Sequence, residues 1–404
     1  VSFIMQPLEL TLHPRSLVLS WPDAGESEFH YIWLRDNCRC PECLHPVTLE
    51  RSLFTARIPP DVAPAQAELE GEGILHIRWT NDGHESRYHP EWLRAHAYAA
   101  ARTEPRWRPK LWDTHLAENL PALEHAEIVG SDEGLLRFLE TFRDHGFTLV
   151  RGVPPMSGEV ERFANHLAYV REIIFGRVHE VLNLPGAYNV AQTAIELKPH
   201  TDLPSYHWPP SVQLIHCLMN EATGGESIVV DGFQLATRLR SEDPGAFELL
   251  TRAGVQFRLY AADGDTLARA PMIQLDEQGE LKTFRFSNQL LQPIDLPSEL
   301  VEPFYDAYRK LALMVVDPGN QVRFRLGAGD LMVTHGHRVM HGRAAFDASS
   351  GRRHLQDAYM EFDDLMGRIR LLRAKLFGEG AVPGEPPKHR SKDGYPGAQS
   401  VYQR

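Results

Sequence analysis

The amino-acid sequence predicts a β-rich α+β protein, a double-sheet jelly roll with flanking helices preceded by a small β domain. Three observations carry this reading. Strand-like runs dominate the middle of the chain at spacings wide enough to cross between sheets, which suits a jelly roll better than a parallel α/β sheet. Helical patterns gather around that region. The 404 residues, 43% apolar and 24% charged, suffice to bury a substantial core in one large or two to three ordinary domains.

The first hundred residues alternate short β-like runs, Leu8 to Leu12, Ser16 to Trp21, Phe29 to Leu34 and Ile74 to Trp79, with Pro/Gly-rich connections at Ile58 to Pro64 and Gly71 to Gly73. A helix from Pro90 to about Arg102 closes this unit. Thr103 to Glu127, with three prolines and no clean period, reads as a linker. The boundary is placed near residue 115, giving an N-terminal domain 1–115, a second domain 116–380 and a tail 381–404. From Ser131 an N-cap serine, acidic Asp132 and Glu133, an apolar face from Leu135 to Phe142 and the terminator Gly146 spell a helix. Phe147 to Arg151 follows as a strand, then a helix capped by Ser157 and running to about Glu172. Further strands are expected at Ser211 to Met219, Glu226 to Asp231, Val255 to Tyr260, Met272 to Leu275, Lys282 to Phe286, Val322 to Leu326, Asp330 to Thr334 and His354 to Phe362. Helices are expected at Phe233 to Arg252, broken at Pro244, at Ser298 to Val316 and at Asp363 to Phe377. The tail from Pro383 onward is rich in Pro, Gly, Lys and Ser and is expected to be mobile.

A formal net charge of −12 disfavours binding to a nucleic-acid backbone. No apolar run approaches the roughly 18 residues of a membrane span, so the chain is expected to be soluble and cytoplasmic, with no membrane partner. Cys38, Cys40 and Cys43 crowd into six residues while Cys217 stands alone, a spacing that suits a metal better than disulfides. Three thiolates need one imidazole to complete a tetrahedral zinc site, and His45, His76, His84 and His89 are available. His45 would have to fold back over its own loop. His84 sits in the polar turn after a strand and is the preferred ligand, which makes this a closed, structural site. The competing reading is three reduced thiols that bind nothing.

The second constellation is His200-Thr201-Asp202. At an alternating strand end, side chains i and i+2 share a face, so one imidazole and one carboxylate form two corners of a 2-His-1-carboxylate iron site. Such tripeptides also occur in plain surface turns. A third ligand must come from afar, and His335, His337 and His341 are the candidates.

The run Asp36 to Ser52, Pro199-His200-Thr201-Asp202, Thr223-Gly224-Gly225-Glu226-Ser227 leading to Val230-Asp231-Gly232-Phe233, and His341-Gly342-Arg343 followed by Arg353-His354-Leu355 and Tyr359 together resemble the gamma-butyrobetaine hydroxylase and trimethyllysine hydroxylase family. The motifs stand in the family's order over residues from about 30 to 376. The resemblance implies an Fe(II)- and 2-oxoglutarate-dependent oxygenase with a TauD-like double-stranded β-helix and a small N-terminal zinc domain, commonly a homodimer, acting on a small-molecule substrate with O2. It places the iron ligands on His200, Asp202 and His341, and the zinc ligands on Cys38, Cys40, Cys43 and His84. By the same resemblance Arg353 meets the far carboxylate of 2-oxoglutarate as a planar guanidinium, with Ser227 as helper. Arg343, just after His341, is expected instead to pair with a local carboxylate. In halogenases of this superfamily the carboxylate is missing, so Asp202 points to hydroxylation.

The sequence leaves the family at the substrate. Positions that form the family's aromatic cage for trimethylammonium carry Phe175, His179, Gln192 and Leu203, only one of them a benzenoid ring, although cation–π attraction is what such a cage supplies. Tyr206, His207 and Trp208 lie close to the iron pair and could build another wall. Asn189 and Asn288 match family positions that line the substrate pocket and could hydrogen-bond a carboxylate. Gly336 replaces a family asparagine. The expected activity is hydroxylation of a small polar, carboxylate-bearing metabolite, with release of succinate and CO2. The alternatives are a true gamma-butyrobetaine hydroxylase with a rebuilt cage and a zinc-stapled binding protein on an inactive oxygenase scaffold.

Overall fold

The computed structural model describes residues 6–23, 25–46, 48–98, 107–182, 190–261 and 264–378. Asn189 and the tail beyond 380 lie outside these residues. The described chain divides into one unit up to Trp107 and another from Arg108 onward. Among the described residues no helix is long and apolar enough to cross a membrane.

In the first unit two antiparallel three-stranded sheets share one core. The first is Glu9–Leu12, Ser16–Trp21 and Gly25–His30, and the second Pro64–Glu70, Ile74–Trp79 and Glu85–Tyr88. Alternate residues Leu17 and Leu19, Leu75, Ile77 and Trp79 turn inward, as the two-residue period of a strand requires, and pack with Phe29, Leu34, Tyr88 and Trp92. The run expected as a strand at Phe29 to Leu34 changes period at His30. Tyr31 and Leu34 are buried at a spacing of three, and Tyr31–Asp36 is a helix. The helix begun at Pro90 ends at Ala95, with His96 as its C-cap, so the expected extension to Arg102 is not made within the described residues.

The second unit is built on two sheets. Six strands run in the order Ala122–Glu124, Phe147–Arg151, Leu331–His335, Val212–Asn220, Arg353–Met360 and His179–Leu182. Four run in the order Leu197–His200, Val339–Arg343, Ser227–Asp231 and Val322–Phe324. Among the described residues only the pairing of Ala122–Glu124 with Phe147–Arg151 is parallel. Phe147, Leu149, Cys217, Met332 and Leu355 of the larger sheet meet Val229, Val322 and Val339 of the smaller one in a shared core. The opposite faces are covered by helices. Val212, Leu214, Leu331, Val333, Ala358 and Met360 pack under Asp132–His145, Glu159–Leu167 and Phe362–Phe377. Val230 and Met340 pack under Gly232–Glu242, Pro244–Arg252 and Ser298–Val316.

Local chemistry explains most boundaries. Ser131 Oγ accepts from Gly134 N at 3.0 Å and caps Asp132–His145, worth about 1 kcal/mol. Asp243 caps the helix that restarts at Pro244. Ser157 does not cap the next helix. The Gln356 amide takes both its hydroxyl, at 2.8 Å, and the Gly158 N–H, at 3.0 Å, and Gly158 enters the helix at φ +87°. That helix stops at Leu167, well short of Glu172. The expected linker before residue 127 holds the strand Ala122–Glu124 and the start of the helix His125–Gly130. Val255–Ala261 is half of a hairpin whose second strand, Gly264–Ala270, has no apolar alternation strong enough to announce it.

One buried ion pair ties the smaller sheet to its surroundings. Arg338 is 1% exposed and donates to Asp231 Oδ1 and Oδ2 at 3.0 and 2.7 Å, and to the carbonyls of Asp144 and Lys110 at 2.9 and 2.5 Å. Removing one partner leaves a buried charge uncompensated. Arg338→Ala is therefore expected to lower unfolding free energy by about 3–5 kcal/mol in urea titration. A loss under about 1 kcal/mol would refute the clamp.

Candidate active site and metal centre

In the first unit the helix Tyr31–Asp36 leads directly into the cysteine knuckle, where Cys43 N and Leu44 N both donate to the Cys40 carbonyl, at 3.0 and 2.9 Å. His84 is presented by the turn between Ile74–Trp79 and Glu85–Tyr88, its backbone N–H donating to Asp82 Oδ1 at 3.0 Å. His84 Nε2 lies 3.3, 3.5 and 3.6 Å from the sulfurs of Cys38, Cys40 and Cys43. Ordinary Zn–S and Zn–N bonds at a tetrahedral angle give an edge of about 3.5 Å, so the donor set fits zinc. Burial pushes the Cys38 thiol up to about 12, so this thiolate needs a cation beside it, and Arg35 reaches only Cys43, at 3.4 Å. The other histidines stand elsewhere: His76 faces Glu70 at 2.9 Å, His45 Nδ1 accepts from Thr48 N at 3.0 Å, and His89 precedes the helix Pro90–Ala95.

In the second unit His200 ends the strand Leu197–His200 and stands directly opposite His341 on Val339–Arg343. The two rings lie 4.6 Å apart, and Asp202 completes the group, Oδ1 at 3.2 Å from His200 Nε2 and Oδ2 at 3.8 Å from His341 Nε2. Close approach of the strands depends on Gly342, where a Cβ would meet the Leu197 carbonyl at 2.7 Å and Pro199 N at 2.8 Å. His200 Nδ1 is hydrogen-bonded to the Lys198 carbonyl at 2.9 Å, which fixes the tautomer and leaves Nε2 its lone pair. Thr201 exchanges hydrogen bonds with Phe286, and Leu203 turns the chain away at φ +48°, a strained conformation for a branched side chain. Burial lowers His341 to about 4, leaving it in the neutral form a metal requires. Burial opposes ionisation of Asp202, but His341 and His200 outweigh it and hold the carboxyl well below its usual range. His335 instead stacks on Phe362 at 4.1 Å, and His337 Nε2 is bonded to the Pro209 carbonyl at 2.8 Å.

Two cavities meet at this group. One runs between the sheets past Gln213, Ile215, Ser227, Met332, Arg343, Arg353, Leu355, Asp357 and Tyr359. The other opens past Leu203, Arg258, Leu259, Tyr260, Ser287, Gln289 and Gln292, and both are lined by Phe175, Ala191, Leu197, His200 and Asp202. Arg353 makes no ion pair or hydrogen bond among the described residues; its Nε is buried without a partner and Phe346 lies 5.5 Å under its guanidinium. Burial first, and the Arg325 charge in smaller part, lower it to about 10. Phe175 stacks on His179 at 4.8 Å, and His179 Nδ1 faces Asp357 Oδ1 at 3.4 Å. Gln192 is buried without lining either cavity, and Asn288 Oδ1 accepts from Tyr308 OH at 2.8 Å. Tyr206 packs with Phe175 and Leu203, while Trp208 is about half exposed against His337. Gly336 lies where a side chain would crowd the Pro210 carbonyl, 2.9 Å from its Cβ position.

The TauD, TfdA family model, described by taurine catabolism dioxygenase TauD, matches residues 117–359, and the gamma-butyrobetaine hydroxylase-like N-terminal model matches residues 8–94. Gamma-butyrobetaine dioxygenase of Pseudomonas sp. (strain AK-1) is 39% identical over 88% of this chain and 93% of that protein. The mitochondrial trimethyllysine dioxygenase of Mus musculus is 30% identical over 85% and 82%. The chain belongs to the gamma-butyrobetaine hydroxylase and trimethyllysine hydroxylase family. It is an Fe(II)- and 2-oxoglutarate-dependent dioxygenase. Among solved structures a taurine dioxygenase from Burkholderia xenovorans aligns at a TM-score of 0.47, with 14% identity over 63% of this chain and 91% of its own.

For this dioxygenase, further residues complete the setting. Gln213 Nε2 donates to Asp202 Oδ2 at 2.5 Å, and Tyr359 OH donates to the same oxygen at 2.7 Å, so two donors load Oδ2 and leave Oδ1 toward His200. Gln213 is a polar position inside an apolar strand run, and that interruption was its one sequence signal; Asp357 stands in the mixed run Arg353–Met360 and had none. Among the described residues Arg343 pairs with no carboxylate, contrary to expectation. It donates to the carbonyls of Ala191, Thr193 and Ile195 at 3.2, 2.7 and 2.5 Å, holding the wall that Ala191 and Leu197 give to both cavities. Bonds from a charged donor are worth about 1.5–3 kcal/mol each. Arg343→Ala is accordingly expected to speed amide exchange across residues 191–197 while Ser227–Asp231 keeps its protection; unchanged exchange there would remove Arg343 from this role.

Proposed function

We propose that the protein hydroxylates a small polar metabolite that bears a carboxylate, with 2-oxoglutarate converted to succinate and CO2. The observation that carries the 2-oxoglutarate-dependent part of this reading is Arg353, whose Nε is buried with no carboxylate partner among the described residues, in the cavity that ends at His200, Asp202 and His341; the substrate's own carboxylate rests on the family resemblance. These three are read as the Fe(II) ligands. When bound, the metal supplies the centre at which O2 and 2-oxoglutarate react, one oxygen atom passing to succinate and the other to the substrate. The chain's own residues hold the reactants. Arg353 meets the far carboxylate of 2-oxoglutarate, Ser227 adds a hydroxyl, and Ile215, Met332 and Leu355 exclude water along its carbon chain. Gln213 and Tyr359 keep Asp202 in one orientation. The two sheets are read as the halves of a double-stranded β-helix, and the first unit as a structural zinc domain.

Gamma-butyrobetaine hydroxylation is the second reading, supported by the 39% identical relative of that name. Against it, of the four positions read as the cage only Phe175 brings a benzenoid ring. His179 is tied to Asp357, and Gln192 lines neither cavity.

The ligand assignment is tested by coupled turnover. His200→Ala and Asp202→Ala should abolish it, and Arg353→Ala should weaken 2-oxoglutarate binding by about 2–5 kcal/mol, the cost of stranding one member of a buried charged pair. Unchanged 2-oxoglutarate affinity in Arg353→Ala would move the assignment to another arginine.

The zinc reading has its own test. Purified protein should hold about one zinc per chain through mild chelation while iron is lost, and Cys40→Ser should cost folding as well as metal. Well-folded protein free of zinc by elemental analysis would end that reading.

A further inference from the structure

The inner cavity carries two buried oxygen acceptors that no hydrogen bond among the described residues satisfies, one of them, on Asp357, held only by an ion pair to His179 at 3.4 Å. Asp357 and His179 are direct cross-strand partners, and Gln213 is the partner of Tyr359, so all four share the cavity face of the larger sheet. Gln213 Nε2 is committed to Asp202 Oδ2 at 2.5 Å and lies 3.1 Å from Tyr359 OH and 3.5 Å from Asp357 Oδ2. These neighbours fix the amide's orientation and leave Oε1 free, and Oε1 is buried without a partner. Asp357 Oδ1 is also buried without a hydrogen bond, its nearest cation being His179 Nδ1 at 3.4 Å. A buried acceptor left unmade costs its full desolvation, so two of them in one cavity mark the place of a donor.

We infer that Asp357 Oδ1 and Gln213 Oε1 form a subsite for a primary or secondary ammonium group of the substrate, an assignment that rests on the hydroxylase reading above. An ammonium brings both the N–H donors that the two oxygens lack and the positive charge that a buried carboxylate favours. The faces of Phe175 and Tyr359 line the same cavity and add cation–π attraction. A trimethylammonium has no N–H and leaves both oxygens unmade. Sites that hydrogen-bond their substrate reject the analogue lacking the donor far more strongly than apolar pockets reject a missing methylene.

The test uses the full chain loaded anaerobically with Fe(II) and 2-oxoglutarate. The probes are gamma-aminobutyrate and its mono-, di- and trimethylated forms, beside delta-aminovalerate and its trimethyl form. Affinity is read from the change each causes in the iron–2-oxoglutarate charge-transfer absorbance, and coupling from succinate release. The expected result is that affinity falls by about a hundredfold from primary amine to trimethylammonium. Asp357→Asn should erase most of that difference by weakening the primary amines while 2-oxoglutarate uptake stays as in the wild type. Tightest binding by a trimethyl form, no binding by any primary amine, or an unchanged order in Asp357→Asn overturns the inference. Should Asp357→Asn not fold, the wild-type series decides alone. Absence of the charge-transfer absorbance in the wild type before any amine is added would instead overturn the hydroxylase reading, and the subsite with it.

Discussion

The pairing of Leu197–His200 with Val339–Arg343 is the constraint on which the site depends. It sets His200 opposite His341 across 141 residues of chain, and a slip of one residue would turn His341 to the helix-covered face where Met340 now packs. Two buried arginines bound the strand that carries His341. Arg338, just before it, is fastened to Asp231 on the neighbouring strand, and Arg343, at its end, is fastened to the carbonyls of the segment leading into Leu197. Both clamps use planar, permanently charged groups with several donors, which fix orientation as well as distance. Gly342 removes the last steric obstacle between the strands. The juxtaposition of His200, Asp202 and His341 is thus a property of a sheet register held at both ends.

The larger sheet obeys the same period-two logic with a different division of labour. On Val212–Asn220 and Arg353–Met360, Val212, Leu214, Ala358 and Met360 face helices, whereas Gln213, Arg353, Asp357 and Tyr359 face the cavity. Burying four polar side chains between sheets costs stability unless each is paired. Tyr359 and the Gln213 amide nitrogen are paired within the protein, and Asp202 accepts from both. Arg353 Nε, Asp357 Oδ1 and Gln213 Oε1 are not. The larger apolar cores on the outer faces offset that deficit, so the unsatisfied atoms are tolerated where ligands are to be held.

Much of this was legible from local chemistry. Ser131, Gly146 and Pro244 marked helix boundaries because caps and breakers act within a few residues, and His200 with Asp202 follows from side-chain alternation alone. The choice among His335, His337 and His341 was not legible from spacing, because it is made by strand pairing over long sequence distance; the family resemblance, not the residue pattern, singled out His341. Ser157 failed as a cap because Gln356, distant in sequence, claims its hydroxyl. The strand expected through Leu34 became a helix because the burial period changes at His30, a switch too short for a sequence window to resolve. The cage positions were transferred by alignment, which says where a residue stands in the chain but not that Gln192 lines neither cavity or that His179 faces Asp357.

The charges of the inner cavity explain why its two ends diverge in what they tolerate. On the proposed assignment, in which Asp202 holds a divalent metal and Arg353 the far carboxylate of 2-oxoglutarate, metal and Asp202 leave one positive charge, Arg353 adds another and 2-oxoglutarate brings two negative ones, so that end is neutral once loaded. Asp357 lies outside this balance. Its carboxyl is pushed upward by burial first and by Asp202 in part, while His179, opposed by its own burial, is raised by Asp357. The two therefore stabilise each other's charge, and the Gln213 amide stands between Asp357 and Asp202, donating toward both. A cation arriving at Asp357 relieves the repulsion between the two carboxylates without disturbing the metal's own complement of charge. The substrate end can consequently change its recognition chemistry through residues such as His179 and Asp357 while the 2-oxoglutarate end, bound to its charge balance, retains the family's pattern.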